Sequence, residues 1–127
     1  MEKRFLIVQS NPAIFGDFQI TMAQEYPKIA RVTLYAETFE EVKVKTPKDG
    51  KLVVIASNFY KTPDHDMDGV MLAEVIHGIN SEAEVHIFSR SQPKESKFVK
   101  SFILKNQLGD ISLTDVSIAL DTVLKNF

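Results

Sequence analysis

Two short runs in which every residue is apolar constrain the fold of this chain more than any other feature. Residues 5–8 and 52–55 each place four apolar side chains in a row, rich in β-branched types. Such runs are typical of strands that are buried on both faces of a sheet. Helical patterns lie between them, and Asn11-Pro12 is a typical helix start. The alternation of the two patterns predicts an α/β fold.

The rest of the chain repeats this alternation. We expect three further strands, at residues 30–36, 83–89 and 102–104. Thr38 and Glu41 form a capping box for a short helix, and Asp68 is placed to cap another helix after the polar segment 58–68. Five strands alternating with helices predict a three-layer, doubly wound, five-stranded parallel sheet, as a single domain over residues 1–127. In such sheets, ligands bind at the carboxyl ends of the strands.

Composition excludes several classes of function. The 127 residues carry a net charge of −2, so no broad positive field favours nucleic acid or anionic membranes. The chain has no cysteine, which excludes disulfides and thiolate catalysis. Its first apolar run is too short for a signal peptide, and no run approaches the roughly 18 residues of a membrane span. We therefore expect a cytoplasmic protein without nucleic-acid or membrane partners.

Five segments, in order and at their spacing, resemble the receiver domain of bacterial two-component response regulators. They are KRFLIVQSNP (3–12), LVVIASN (52–58), MDGV (67–70), VHIFS (85–89) and FILK (102–105). The resemblance spans nearly the whole chain and implies a flavodoxin-like fold. It places Ser89 at the hydroxyl position of the phosphorylation site, Lys105 at the ammonium position and Phe102 at the aromatic switch position.

The same resemblance implies that the acidic residues of the phosphorylation site are missing. The metal-binding acid pair is replaced by Gln9 and Ser10, and the phosphoacceptor by Ala56. Phosphoryl transfer to aspartate needs a carboxylate nucleophile and a divalent cation held by acidic ligands. A register shift of one residue would bring Ser57 into the site instead of Ala56, and both assignments stay open. Asn58 completes the predicted pocket.

The segment between the third strand and the next helix is longer than the corresponding loop of the family. It contains Asp64, His65 and Asp66, a weak candidate for a metal site that more often forms a solvated loop. The spacing between Ser89 and Lys105 is in turn shorter than usual. The fourth helix, drawn from residues 93–100, is therefore expected to be short, shifted or absent.

These patterns favour a receiver-like domain that cannot be phosphorylated and acts through protein–protein interaction in a two-component-type pathway. With no output segment after Phe127, its partner would be a kinase, a regulator or a second copy, with Phe102 as a contact residue. The alternative is a domain that binds a small ligand, oxyanion or metal in the remodelled pocket. No nucleophile is paired with a base, so we expect neither enzymatic activity nor a cofactor.

Overall fold

The computed structural model describes residues 3–57, 59–61, 66–89, 96–104 and 113–127. Within them the chain forms seven strands and five helices. In chain order they are β1 (Arg4–Val8), α1 (Pro12–Glu25), α2 (Pro27–Ala30), β2 (Thr33–Ala36), α3 (Phe39–Lys45), β3 (Leu52–Ser57), β4 (Phe59–Lys61), β5 (Asp66–Asp68), α4 (Gly69–Ile79), β6 (Glu84–Ser89), β7 (Ser101–Leu104) and α5 (Leu113–Leu124).

Five of the strands form one parallel sheet in the order β2-β1-β3-β6-β7. The strand order reverses beside β1, which is the arrangement of a doubly wound sheet. The predicted fold class is therefore confirmed. All carboxyl ends of these strands lie at one edge, so Gln9, which follows β1, is brought close to Ser57, the last residue of β3.

Side chains alternate between two cores, one on each face of the sheet. Leu6, Val54 and Ile87 point to the face covered by α3 and α4. Ile7 and Ile55 point to the face covered by α1 and α5. The register fixes which residues lie side by side, because one row across four strands reads Val8, Ala56, Ile87 and Phe102.

Helix starts agree with the capping signals in the sequence. The Asn11 Oδ1 atom accepts hydrogen bonds from the amides of Ala13 and Ile14 at the start of α1. Thr38 Oγ1 accepts from the Glu41 amide at 3.1 Å. Asp68 Oδ1 accepts from the Met71 amide at 2.8 Å, which confirms that Asp68 caps a helix.

Two local expectations need correction, and a third agrees with the structure. The predicted strand 30–36 begins only at Thr33, because Pro27–Ala30 forms a short helix that starts at proline, a favourable first helical position. The segment expected to be a polar loop contains β4 and β5, which pair antiparallel. Residues 96–100, the described part of the segment drawn as the fourth helix, form a turn and a bend, which agrees with the expectation that this helix is short, shifted or absent.

No helix in the described ranges combines the length and apolarity that a bilayer-spanning segment requires.

Candidate functional site

Gln9 and Ser10 connect β1 to α1 at the carboxyl edge of the sheet. The Gln9 amide donates to the Ala36 carbonyl at 3.0 Å and so extends the pairing with β2 by one residue. Its side chain is only 2% exposed, whereas Ser10 is exposed. Asn11 then caps α1. The residue pair at the acidic positions of the receiver motif thus consists of one buried amide and one surface hydroxyl, and neither carries a charge.

Ala56 and Ser57 end β3 and face opposite sides of the sheet. Ala56 is packed in the core on the α3–α4 side, level with Val8. Ser57 follows Ile55 on the α1–α5 side and is level with Phe88. Continuing the β1–β3 register by one step puts Ser57 beside Gln9. Ser57, rather than Ala56, therefore shares a sheet face with Gln9.

The Ser57 hydroxyl is unusual because it is a polar group buried at the end of β3. The residue is 5% exposed, and its Oγ atom is fully buried without a hydrogen-bond partner among the described residues. A buried polar atom left without a partner costs about 1–3 kcal/mol. The sequence offered no signal for this, because a serine at a strand end is ordinary at the surface.

The amino terminus of α4 is held tightly against the ends of β3 and β6. A Cβ atom on Gly69 would lie 2.7 Å from Ile87 Cδ1 and 3.1 Å from the Ser57 carbonyl oxygen. Only glycine permits this approach without displacing a neighbour. The sequence identified Gly69 through the resemblance alone, and the structure supplies the steric reason for it.

The remaining predicted site residues are only partly described. Phe102 is half-buried on β7 and packs against the core on the α3–α4 side. Ser89 ends β6, and its backbone pairs with Leu104. Asn58, Lys105, Asp64 and His65 lie outside the described residues, and Asp66 is described only as part of the β5 backbone. Within the described part of the chain, no three His, Asp or Glu residues are grouped as a metal site would require.

Neither Tyr35 nor Glu41, two groups with displaced pKa values, adds a charge to the carboxyl edge of the sheet. Burial raises the pKa of Tyr35, whose ring packs edge-to-face on Phe15 at 5.6 Å, so the phenol is uncharged near neutral pH. The pKa of Glu41 is lowered, first by the hydrogen bond from the Glu37 amide and then by Lys45, but that carboxylate is at the surface of α3. The side chains of Gln9 and Ser57 carry buried hydrogen-bonding groups, Ala56 carries none, and none of the three offers an anionic ligand to a metal.

Comparisons with known proteins identify the architecture. The structure resembles the receiver domain of HemR from Leptospira biflexa (TM-score 0.67, 17% identity, 99% of this chain and 97% of that chain covered). It also resembles the isolated REC domain of RcsB from Salmonella enterica serovar Typhimurium (TM-score 0.63, 16% identity, 97% and 88% covered). A CheY-like receiver domain from Methanospirillum hungatei matches with a TM-score of 0.61 and 22% identity over all of both chains.

No protein-family model matches the sequence, and neither does any curated protein. The likeness at this level of identity therefore concerns the fold. The chain has the fold of response regulator receiver domains.

Proposed function

We propose that this chain is a receiver-like signalling domain of a two-component-type pathway that takes no aspartyl phosphate and acts by contact with another protein. The observation that carries the proposal is the chemistry of the carboxyl edge: Gln9, Ser10, Ala56 and Ser57 stand where strands β1 and β3 end, and none is acidic. The similar solved structures are receiver domains, which supports the signalling class.

Phosphorylation at this edge would need two things that these residues do not provide. A hydroxyl such as Ser57 needs an adjacent base to become a nucleophile, and its neighbour on the same sheet face is the neutral amide of Gln9. A Mg²⁺ ion prefers carboxylate oxygens and gives up its water reluctantly. An amide and two hydroxyls would hold it poorly, so neither the acceptor nor the cation site is complete.

The proposal is tested with beryllofluoride, the phosphomimetic present in the similar RcsB structure. We expect the melting temperature of the wild-type chain to be unchanged by beryllofluoride with Mg²⁺. Bound at 100 times its dissociation constant, such a ligand would stabilise the fold by about 2.7 kcal/mol, a shift that is easily measured. A Mg²⁺-dependent rise in the melting temperature, or a phosphoryl mass adduct after incubation with acetyl phosphate, would refute the proposal.

A matched gain-of-function variant makes the negative result informative. The combination of Gln9→Asp, Ser10→Asp and Ala56→Asp restores the three acids in the register of the motif, and a companion variant carries Ser57→Asp in place of Ala56→Asp. If either variant responds to beryllofluoride and the wild type does not, the missing acids are the cause. The variant that responds also identifies which end residue of β3 occupies the acceptor position.

Apolar residues available for contact with a partner lie on α5 and, on the opposite face of the sheet, on β7. Leu113 and Ile118 on α5 are more than half exposed, and Phe102 of β7 is half-buried. Exposed apolar patches are typical of protein-binding surfaces, so we take the exposed residues of α5 as the candidate surface. We expect Ile118→Lys to abolish co-purification of the partner, or self-association measured by sedimentation. Val44→Lys is the control, because Val44 is 84% exposed on α3. Equal loss in both variants would contradict a specific surface.

The second candidate function is the binding of a small ligand or oxyanion at the remodelled edge. The observation that favours it is the buried Ser57 hydroxyl, which lacks a partner among the described residues and lies beside Gln9. A melting screen with phosphate, sulfate and nucleotides tests this candidate. A ligand that stabilises the wild type but not Ser57→Ala would support it, whereas an equal shift in both proteins would place the ligand elsewhere.

A further inference from the structure

At the end of the sheet opposite the candidate site, a buried histidine joins the two last strands. His86 of β6 is 7% exposed, and its Nδ1 atom lies 2.5 Å from Ser101 Oγ at the start of β7. Its Nε2 atom is also buried and has no hydrogen-bond partner among the described residues. Among the described residues, the carboxylate oxygen that faces it is Glu84 Oε2, 4.0 Å away.

The same carboxylate is held by a second residue. Glu84 Oε1 accepts from Lys100 Nζ at 3.0 Å, and the Lys100 amide donates to the Val85 carbonyl at 2.8 Å. Lys100 therefore ties the segment that leads into β7 to β6 in two ways. In the described sheet β7 is an edge strand that pairs only with β6. No second strand helps to hold it in place, so its position depends on its contacts with β6.

We propose that His86, Glu84, Lys100 and Ser101 form a proton-sensitive clasp between β6 and β7, and that a proton on the His86 ring loosens the start of β7. This clasp works independently of any chemistry at the carboxyl edge, so it stands whether or not the proposed function is correct.

The effect of the proton follows from the hydrogen-bonding needs of the ring. A neutral imidazole has one N–H donor, and the single bond with Ser101 satisfies one ring nitrogen in either tautomer. The protonated ring has two N–H donors, so Nδ1–H donates to Ser101 Oγ and Nε2–H needs an acceptor. Glu84 Oε2 is the acceptor in reach. If the Glu84 carboxylate turns towards the ring, its ion pair with Lys100 weakens. Lys100 is the residue that connects the segment before β7 to β6.

The surroundings allow this exchange of partners. A cavity of about 150 Å³ beside the ring gives Glu84 space to move. The charged groups of the cavity wall are Glu84 from β6, Lys100 from the approach to β7 and Lys3 from the start of β1. Thr122 and Asn126 from α5 are neutral, and Val53 from β3 is apolar.

Lys3 does not compete for the carboxylate. Its Nζ donates to the Asn126 carbonyl at 3.0 Å and lies 4.8 Å from the centroid of the Phe127 ring. Two cations therefore compete for the Glu84 carboxylate, the Lys100 ammonium and the His86 imidazolium. Burial of the ring lowers the pKa of His86, while Glu84 counteracts and Lys100 reinforces this effect. The clasp is thus closed near neutral pH and opens on acidification.

Amide hydrogen exchange measured by NMR tests the clasp on the full chain. Between pH values of about 7.5 and 5.5, the protection of the Lys100 and Phe102 amides, corrected for intrinsic exchange, should fall several-fold relative to amides of β1. In His86→Gln, which stays neutral, this selective loss should disappear. In Glu84→Gln, which has no anionic acceptor, the Lys100 amide should be poorly protected at both pH values.

A competing explanation for a pH-dependent loss of protection is protonation of the other described histidine near this segment. His77 of α4 lies 5.5 Å from the Phe98 ring, measured between centroids, so His77→Gln is the matched control and should retain the pH effect. A chemical-shift titration of the His86 ring in the wild type gives a readout that needs no variant. The proposal is overturned if His86 titrates like a free histidine, if β7 protection does not depend on pH, or if the dependence survives in His86→Gln.

Discussion

At the scale of single residues, Gly69 fixes how closely α4 approaches the strand ends. Gly69→Ala would force a Cβ atom to within 2.7 Å of Ile87 Cδ1, in a region where that side chain is fully buried. We expect the free energy of unfolding, measured with urea, to fall by about 1–3 kcal/mol. Gly78→Ala in the same helix is the control, since nothing lies within 4 Å of its Cβ position. That change should be neutral or stabilise by up to about 1 kcal/mol. Equal effects of the two changes would contradict the packing argument.

Other residue-scale features could not be foreseen from the sequence. The sequence assigned Ala56 to the pocket and left Ser57 open through a shift of one residue, because alternation is visible in a sequence only when one face is polar. The register with β1 places Ser57 on the face of Gln9. The hydrogen bond between His86 and Ser101 could not be predicted either, since the two residues are fifteen positions apart and meet only because β6 pairs with β7. Long-range pairing of this kind leaves no local signal.

At the scale of elements, local sequence signals correctly predicted where helices begin. They did not predict the pairing of short strands or hydrogen bonds between residues far apart in sequence. The caps Asn11, Thr38 and Asp68 were readable because each cap bonds to an amide two or three residues further along the chain. The pairing of β4 with β5 was missed, since strands of three residues are too short to be recognised from their pattern. Asn80, at which α4 ends, also bonds to Gly50, thirty residues away in sequence, and no local rule predicts such a contact.

That contact is made by Asn80, the residue at which α4 ends. Its side-chain amide donates to the carbonyls of Pro47 and Gly50, at 3.0 and 3.1 Å, and its Oδ1 accepts from the Glu82 amide. Asn80 is buried, so removing these bonds leaves carbonyl groups with poor access to water. We expect Asn80→Ala to lower the free energy of unfolding by about 2–3 kcal/mol.

The control for Asn80 is a second asparagine at the end of a helix. Asn126 follows α5, is exposed and contributes its backbone carbonyl to the bond with Lys3. Asn126→Ala should therefore leave the free energy of unfolding within about 0.5 kcal/mol of the wild type. If Asn80→Ala were as mild, the link between α4 and the loop before β3 would be unimportant for stability.

At the scale of the whole molecule, His86 should make global stability depend on pH. Burial, its largest influence, lowers the pKa of His86 in the folded state below the ordinary value of 6.5. The unfolded chain therefore binds the proton more readily, and acid favours unfolding. We expect the full free energy of unfolding at pH values above about 7 and a decline as the pH falls through about 6.5, until the folded ring also becomes protonated.

The Glu41 carboxylate does not obscure this window. The lowered pKa of Glu41 contributes stability that is present above its ordinary value of 4.5 and lost only below it, and the side chain is at the surface, so its effect is small. Urea unfolding at several pH values between about 5.5 and 7.5 should thus give a sloping curve for the wild type. A flatter curve is expected for His86→Gln, since glutamine does not titrate, while His77→Gln should keep the slope. Parallel curves for the wild type and His86→Gln would show that the buried ring does not couple protons to folding.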